Sequence, residues 1–201
     1  MDVELKQLTD LMDQYWPYVA ALVAVGFLVL SGMVGHRLLN PGDNKIIDAQ
    51  IKKFTKLCVK DVVIPDGIYG YHFINYVLLL PDKILLLGIQ DYAGYIFGAD
   101  NLDQWTQVLN NKSTRFENPI MIQSHCIQAM EPLVNTTEVI ARVVFTSNSS
   151  FPKGKPSGVI EQHLLQQELE LLATAPDLDL GELWQSLYKQ FDAHKKAYKK
   201  G

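Results

Sequence analysis

The longest apolar stretch in the chain runs from Tyr18 to Gly35, 18 residues dominated by Val, Ala, Leu, Phe and Met and free of charged side chains. At ~1.5 Å rise per residue, a helix over it spans ~27 Å, close to the ~30 Å hydrocarbon core of a bilayer. Trp16 and Tyr18 stand at one end, where aromatic rings favour the membrane–water interface, and His36-Arg37 closes the other. A core helix of a globular domain would show a polar stripe, which this run lacks. A cleaved signal peptide would begin with net positive charge, whereas residues 1–15 hold Asp2, Glu4, Asp10 and Asp13 against Lys6. The pattern therefore predicts a retained, single-pass transmembrane helix.

Beyond the apolar run, hydrophobic positions recur at two different periods. Ile47, Ile51, Phe54 and Leu57 have helical spacing and predict a helix from Ile46 to Leu57, after an Asn40-Pro41-Gly42-Asp43 turn. Cys58–Ile64 reads as a strand ended by Pro65-Asp66-Gly67. Phe73–Leu80 and Lys83–Ile89 read as a hairpin about Pro81-Asp82, and their consecutive apolar residues predict burial on both faces of a sheet. Further strands are expected at Tyr95–Phe97 and Val139–Phe145, and a short hairpin at Trp105–Leu109 and Thr114–Phe116 around Asn110-Asn111. A helix is expected from Ile120 to Val134 after Asn118-Pro119, a polar loop from Ser147 to Gly158, and helices at Val159–Thr174 and about Leu180–Lys199.

Charge adds an orientation. Residues 37–60 carry six basic and two acidic side chains, a net of +4, while residues 1–15 are at −3. Basic flanks stay inside, so the N-terminus is expected outside and the main domain in the cytoplasm, at the plasma (inner) membrane. Three segments follow: a leader and anchor at 1–36, a domain at 37–175, and an amphipathic C-terminal helix at 176–201. The overall charge of −4 is no nucleic-acid footprint. Cys58 and Cys126 form no CxxC pair and suggest reduced thiols. No Gly-rich phosphate loop, Ser-His-Asp pattern or zinc spacing is present, and His72 and His125 read as structural residues.

Between Asp61 and Met130 the chain carries Asp91-Tyr92-Ala93-Gly94-Tyr95-Ile96-Phe97-Gly98, then Trp105-Thr106-Gln107, Phe116-Glu117-Asn118-Pro119, Gln123, His125 and Ala129. In these residues and their order the segment resembles the nuclease-related domain (NERD) family. Val144-Phe145-Thr146 and Gly158-Val159 are similar to its distal part, so the resemblance covers roughly residues 45–170. It implies an α/β (mixed α+β), restriction-endonuclease-like core: a central mixed sheet flanked by helices.

Active members of that family resemble the PD-(D/E)xK nucleases, with Ile-Asp-His on one strand and Glu-x-Lys on the next. Here those positions read Ile74-Asn75-Tyr76 and Gly88-Ile89-Gln90. Two carboxylates would hold a hard cation such as Mg²⁺, which activates water and offsets phosphate charge. Asn75 offers one neutral carbonyl, Gly88 no ligand, and Gln90 no positive charge. The resemblance thus implies a module that has lost metal-dependent cleavage, with no cofactor, and works in binding or assembly with a protein partner or as a homodimer. One alternative is an active membrane-tethered nuclease whose Mg²⁺ has moved to Asp66, Asp91 or Glu117. Another is a non-cleaving nucleic-acid binder that uses the basic segment Lys52–Lys60. The C-terminal helix has an apolar face from Leu180 to Tyr198 and lysines at its end. Packing of that face on the domain or on a partner subunit is expected, in preference to lying on the membrane surface.

Overall fold

The computed structural model describes residues 42–199 except Tyr69, Asn135, Pro176 and Asp177. The expected membrane helix, with Trp16, Tyr18 and Arg37, lies outside these residues. Among the described residues no helix is long and apolar enough to cross a membrane. From Asp43 onward the described residues form one compact unit.

Helix α1 (Asp43–Phe54) leads into strands β1 (Cys58–Pro65), β2 (Tyr71–Leu79) and β3 (Lys83–Gln90). These three form an antiparallel meander. The chain then leaves to build β4 (Gly94–Phe97), β5 (Gln104–Leu109) and β6 (Lys112–Glu117), followed by helix α2 (Pro119–Met130) and a 3₁₀ turn at Glu131–Leu133. It returns as β7 (Glu138–Phe145), parallel to β3, then β8 (Ser149–Ser150), β9 (Val159–Glu161), helix α3 (Leu165–Leu172) and helix α4 (Gly181–Tyr198). The result is mixed α+β with two mixed sheets, one ordered β1-β2-β3-β7-β9 and the other β6-β5-β4-β8.

The main sheet is covered on both faces, as the consecutive apolar residues of β2 and β3 require. On one face, Ile47 and Ile51 of α1 and Leu165 and Leu169 of α3 pack on Tyr76, Leu78, Leu85, Leu87 and Val144. On the other, Cys126 and Met130 of α2 and Leu187 and Phe191 of α4 pack on Val62, Ile64, Ile74, Val77, Ile84 and Leu86. The C-terminal helix therefore packs on the domain, one of the two partners expected for its apolar face.

Three boundaries differ from the sequence reading. The expected helix at Val159–Thr174 opens as a strand, because β-branched Val159 and Ile160 pair in parallel with Val143 and Val144 at the sheet edge. α-Helix begins only at Leu165. The first helix stops at Phe54, leaving Leu57 outside it. The polar loop after Phe145 carries the two-residue strand β8, which pairs with Gly94 and Tyr95.

Candidate functional site

Strands β2 and β3 bring Asn75, Gly88 and Gln90, the positions the resemblance singles out, to one end of the main sheet. Their registered pairing runs from Leu79↔Ile84 to Tyr76↔Leu87 and stops there. At the next position the side chain of Asn75 replaces a ladder partner: its Oδ1 accepts a hydrogen bond from the Ile89 amide at 2.8 Å. The only side-chain oxygen at that position is thus committed to holding the diverging strands together.

Gly88 is buried in β3. A Cβ there would meet the amide of Gln123, which reaches down from α2. Gln123 is itself buried, and its Oε1 has no hydrogen-bond partner. The space into which an acidic side chain would project at position 88 is therefore filled by a neutral amide. Gln90 ends β3, paired with Phe145, and its carbonyl accepts from the Thr146 amide at 3.0 Å. A hard divalent cation needs several oxygen ligands, preferably charged. Asn75, Gly88 and Gln90 do not fit one.

Two of the three acids considered as replacements serve local structure. Asp66 closes the β1–β2 turn, accepting from the amides of Ile68 at 2.8 Å and Gly70 at 2.9 Å, and these bonds hold its carboxyl below the usual carboxylate range. Asp91, just past β3, accepts from the Thr146 hydroxyl at 2.6 Å and from Asn148 at 3.1 Å, which likewise lower its pKa. Glu117 is the exposed last residue of β6. Among the described residues, no three His, Cys, Asp or Glu side chains group closely enough to hold a metal ion. His72 and His125 do come together, with ring centroids 6.3 Å apart.

The residues that carry the resemblance build the frame around this end. Tyr92 stacks on Phe116 with centroids 4.1 Å apart. Gly94 stands at φ +93, and a Cβ there would lie 2.5 Å from the Val108 carbonyl, so the turn into β4 needs glycine. Trp105 is fully buried, its ring lies against Gly98, and its Nε1 donates to the Ala99 carbonyl at 3.1 Å. Gln107 donates to the Ala93 carbonyl at 2.7 Å.

Asn118 is the main tie. Its Oδ1 caps α2 by accepting from the Ile120 amide at 2.9 Å, with Pro119 at the first helical position. Its Nδ2 donates to the carbonyls of Leu102 at 2.7 Å and Asp100 at 3.2 Å. That cap aims α2 so that Gln123, one turn further on, lies over Gly88.

The sequence reading did not single out Asp61. It sits in the middle of β1 at φ +53, and the registered pairs step from Lys60↔Tyr76 to Val62↔Ile74 on either side of it. It shares a pocket of about 370 Å³ with Asn75, Phe73, Ile74, Lys195 and Tyr198. Nothing in its sequence context marks it, since the backbone conformation and the approach of α4 are what place it there.

The fold is a mixed sheet covered by helices on both faces, with Asn75, Gly88 and Gln90 at one end of its second and third strands. The family model for the nuclease-related domain matches residues 40–146, more than half of the 201-residue chain. The protein belongs to the nuclease-related domain family, whose usual setting is the PD-(D/E)xK superfamily. No curated protein and no solved structure matches the chain.

Proposed function

We propose that this protein is a membrane-anchored, catalytically inactive member of the nuclease-related domain family, held at the inner membrane by residues 18–35 and acting through binding or assembly. The restriction-endonuclease-like core supplies a rigid platform, and the module no longer assembles a metal site. The observation that carries this reading is the Gln123 amide in the space above Gly88. A general loss of one acid can be rescued by a neighbour, but here the space for the carboxylate is taken as well. The commitment of the Asn75 Oδ1 to the Ile89 amide supports the same conclusion.

The test is a cleavage assay with the full chain in detergent or nanodiscs, using single- and double-stranded DNA and RNA with Mg²⁺ or Mn²⁺. No cleavage above background is expected. Cleavage that depends on the metal and disappears in Asp66→Ala or Asp91→Ala would overturn the reading and establish a relocated site.

A further inference from the structure

One end of the main sheet carries an exposed aromatic patch that the binding platform above does not explain. Ile68, at the tip of the β1–β2 turn, is 79% exposed, Phe73 57%, Tyr198 44% and Tyr71 39%. Tyr198, at the last turn of α4, meets Tyr71 edge-on at 5.1 Å and Phe73 at 5.3 Å. Lys195 and Lys199 line the same pocket. Asp66 also lies at this turn, but its carboxylate is engaged by the Ile68 and Gly70 amides.

Topology puts the incoming chain at this same end. β2 starts where the parallel strands β3 and β7 finish, because β2 is antiparallel to β3. Asp43, the first residue of α1, bonds there to Ser147, just past β7, with its carboxylate 3.0 Å from the hydroxyl. Only residues 38–42 separate Arg37 from Asp43, six steps along the chain and a reach of at most ~21 Å at ~3.5 Å per step. Two strand spacings from β7 to β2 are ~10 Å, within that reach.

We propose that this end of the domain, with Ile68 at its tip, rests in the lipid–water interface of the bilayer; this rests on the reading of residues 18–35 as a membrane anchor. The chemistry suits an interface: aromatic rings with a polar edge settle at headgroup depth, an aliphatic tip enters the acyl boundary, and lysine stems extend to anionic headgroups. Each contact is weak alone, and the tether makes them effective by keeping the local lipid concentration high.

The test uses the full chain carrying Cys58→Ser, reconstituted into phosphatidylcholine vesicles with phosphatidylserine. A spin label is placed at Ile68→Cys or, at the opposite end of the sheet, at Thr136→Cys. Both sites are exposed, so neither label disturbs the core, and Cys126 is buried. The expected result is a several-fold lower collision rate with a water-soluble nickel chelate at position 68 than at 136, with oxygen collisions raised at 68. Equal accessibility at the two sites in carbonate-resistant protein overturns the proposal and leaves the anchor standing. Carbonate extraction of the protein overturns both. Protection at 68 that appears only with added single-stranded oligonucleotide, or that grows with protein-to-lipid ratio, also overturns it and assigns the patch to nucleic acid or to a second copy.

Discussion

Asn118 and Gly88 show how single residues decide this site. Asn118, itself fully buried, satisfies a helix N-terminus with its oxygen and two loop carbonyls with its nitrogen. Asn118→Ala removes the cap and strands those carbonyls, and a loss of about 3 kcal/mol is expected in chemical denaturation. Asn118→Asp keeps the acceptor but loses the donor, and should be destabilising too. Gly88→Glu places a carboxylate against the Gln123 amide in a buried space, so a loss of about 2–3 kcal/mol is expected. Gln123→Ala in the same chain should recover part of it. A double-mutant cycle measures the coupling, and additivity would show that Gln123 does not fill the space above Gly88.

At the scale of elements, the β5–β6 hairpin and helix α4 make contrasting cases. Asn110 and Asn111 stand at φ +51 and +61, a two-residue turn whose hand matches strand twist. Asn111→Gly should stabilise the protein by a few tenths of a kcal/mol, whereas Asn110→Val forces a β-branched residue into left-handed backbone and should cost about 1–2 kcal/mol. Helix α4 buries Leu187 and Phe191 against β1 and leaves Tyr188 outside. Thermal unfolding should therefore show Leu187→Ala losing about 2–5 kcal/mol, and Tyr188→Ala staying within ~0.5 kcal/mol of the parent. Equal effects would mean the helix packs on a different face.

Across the whole molecule, α1 is tied to the meander by a polar cluster with a pH signature. Asp48 accepts from the Tyr76 hydroxyl and pairs with Lys60 at 3.1 Å. The Tyr76 hydrogen bond, followed by Lys60, keeps the Asp48 carboxyl below its usual value. Burial, with the Asp48 hydrogen bond, pushes the Tyr76 phenol up to about 12. A lowered carboxylate contributes stability at pH above its unfolded value, and loses it as pH falls through the folded value. A raised phenol contributes below pH 10.0, its ordinary value, and loses that contribution as pH rises toward about 12. Stability should thus fall on both sides of a broad plateau. Asp48→Asn should flatten the acid limb and Tyr76→Phe the alkaline limb, as read from denaturation midpoints against pH. Limbs unchanged in the two variants would assign the pH dependence to other groups.

Much of this was legible along the chain, for a physical reason. Periodicity and turn chemistry are local: Pro81-Asp82 and Asn110-Asn111 set their hairpins, Asn118-Pro119 started its helix, and unbroken apolar runs marked β2 and β3 as buried on both faces. The motif order identified the family. Tertiary structure decided what no local pattern encodes. It turned Val159 and Ile160 into a strand because a parallel edge was waiting for them, and it put Asp61 and α4 beside Asn75. It also laid Gln123 over Gly88, which the 34 residues between them cannot specify. Those outcomes depend on contacts distant along the chain, where the packing of whole elements overrides the preference of any one segment.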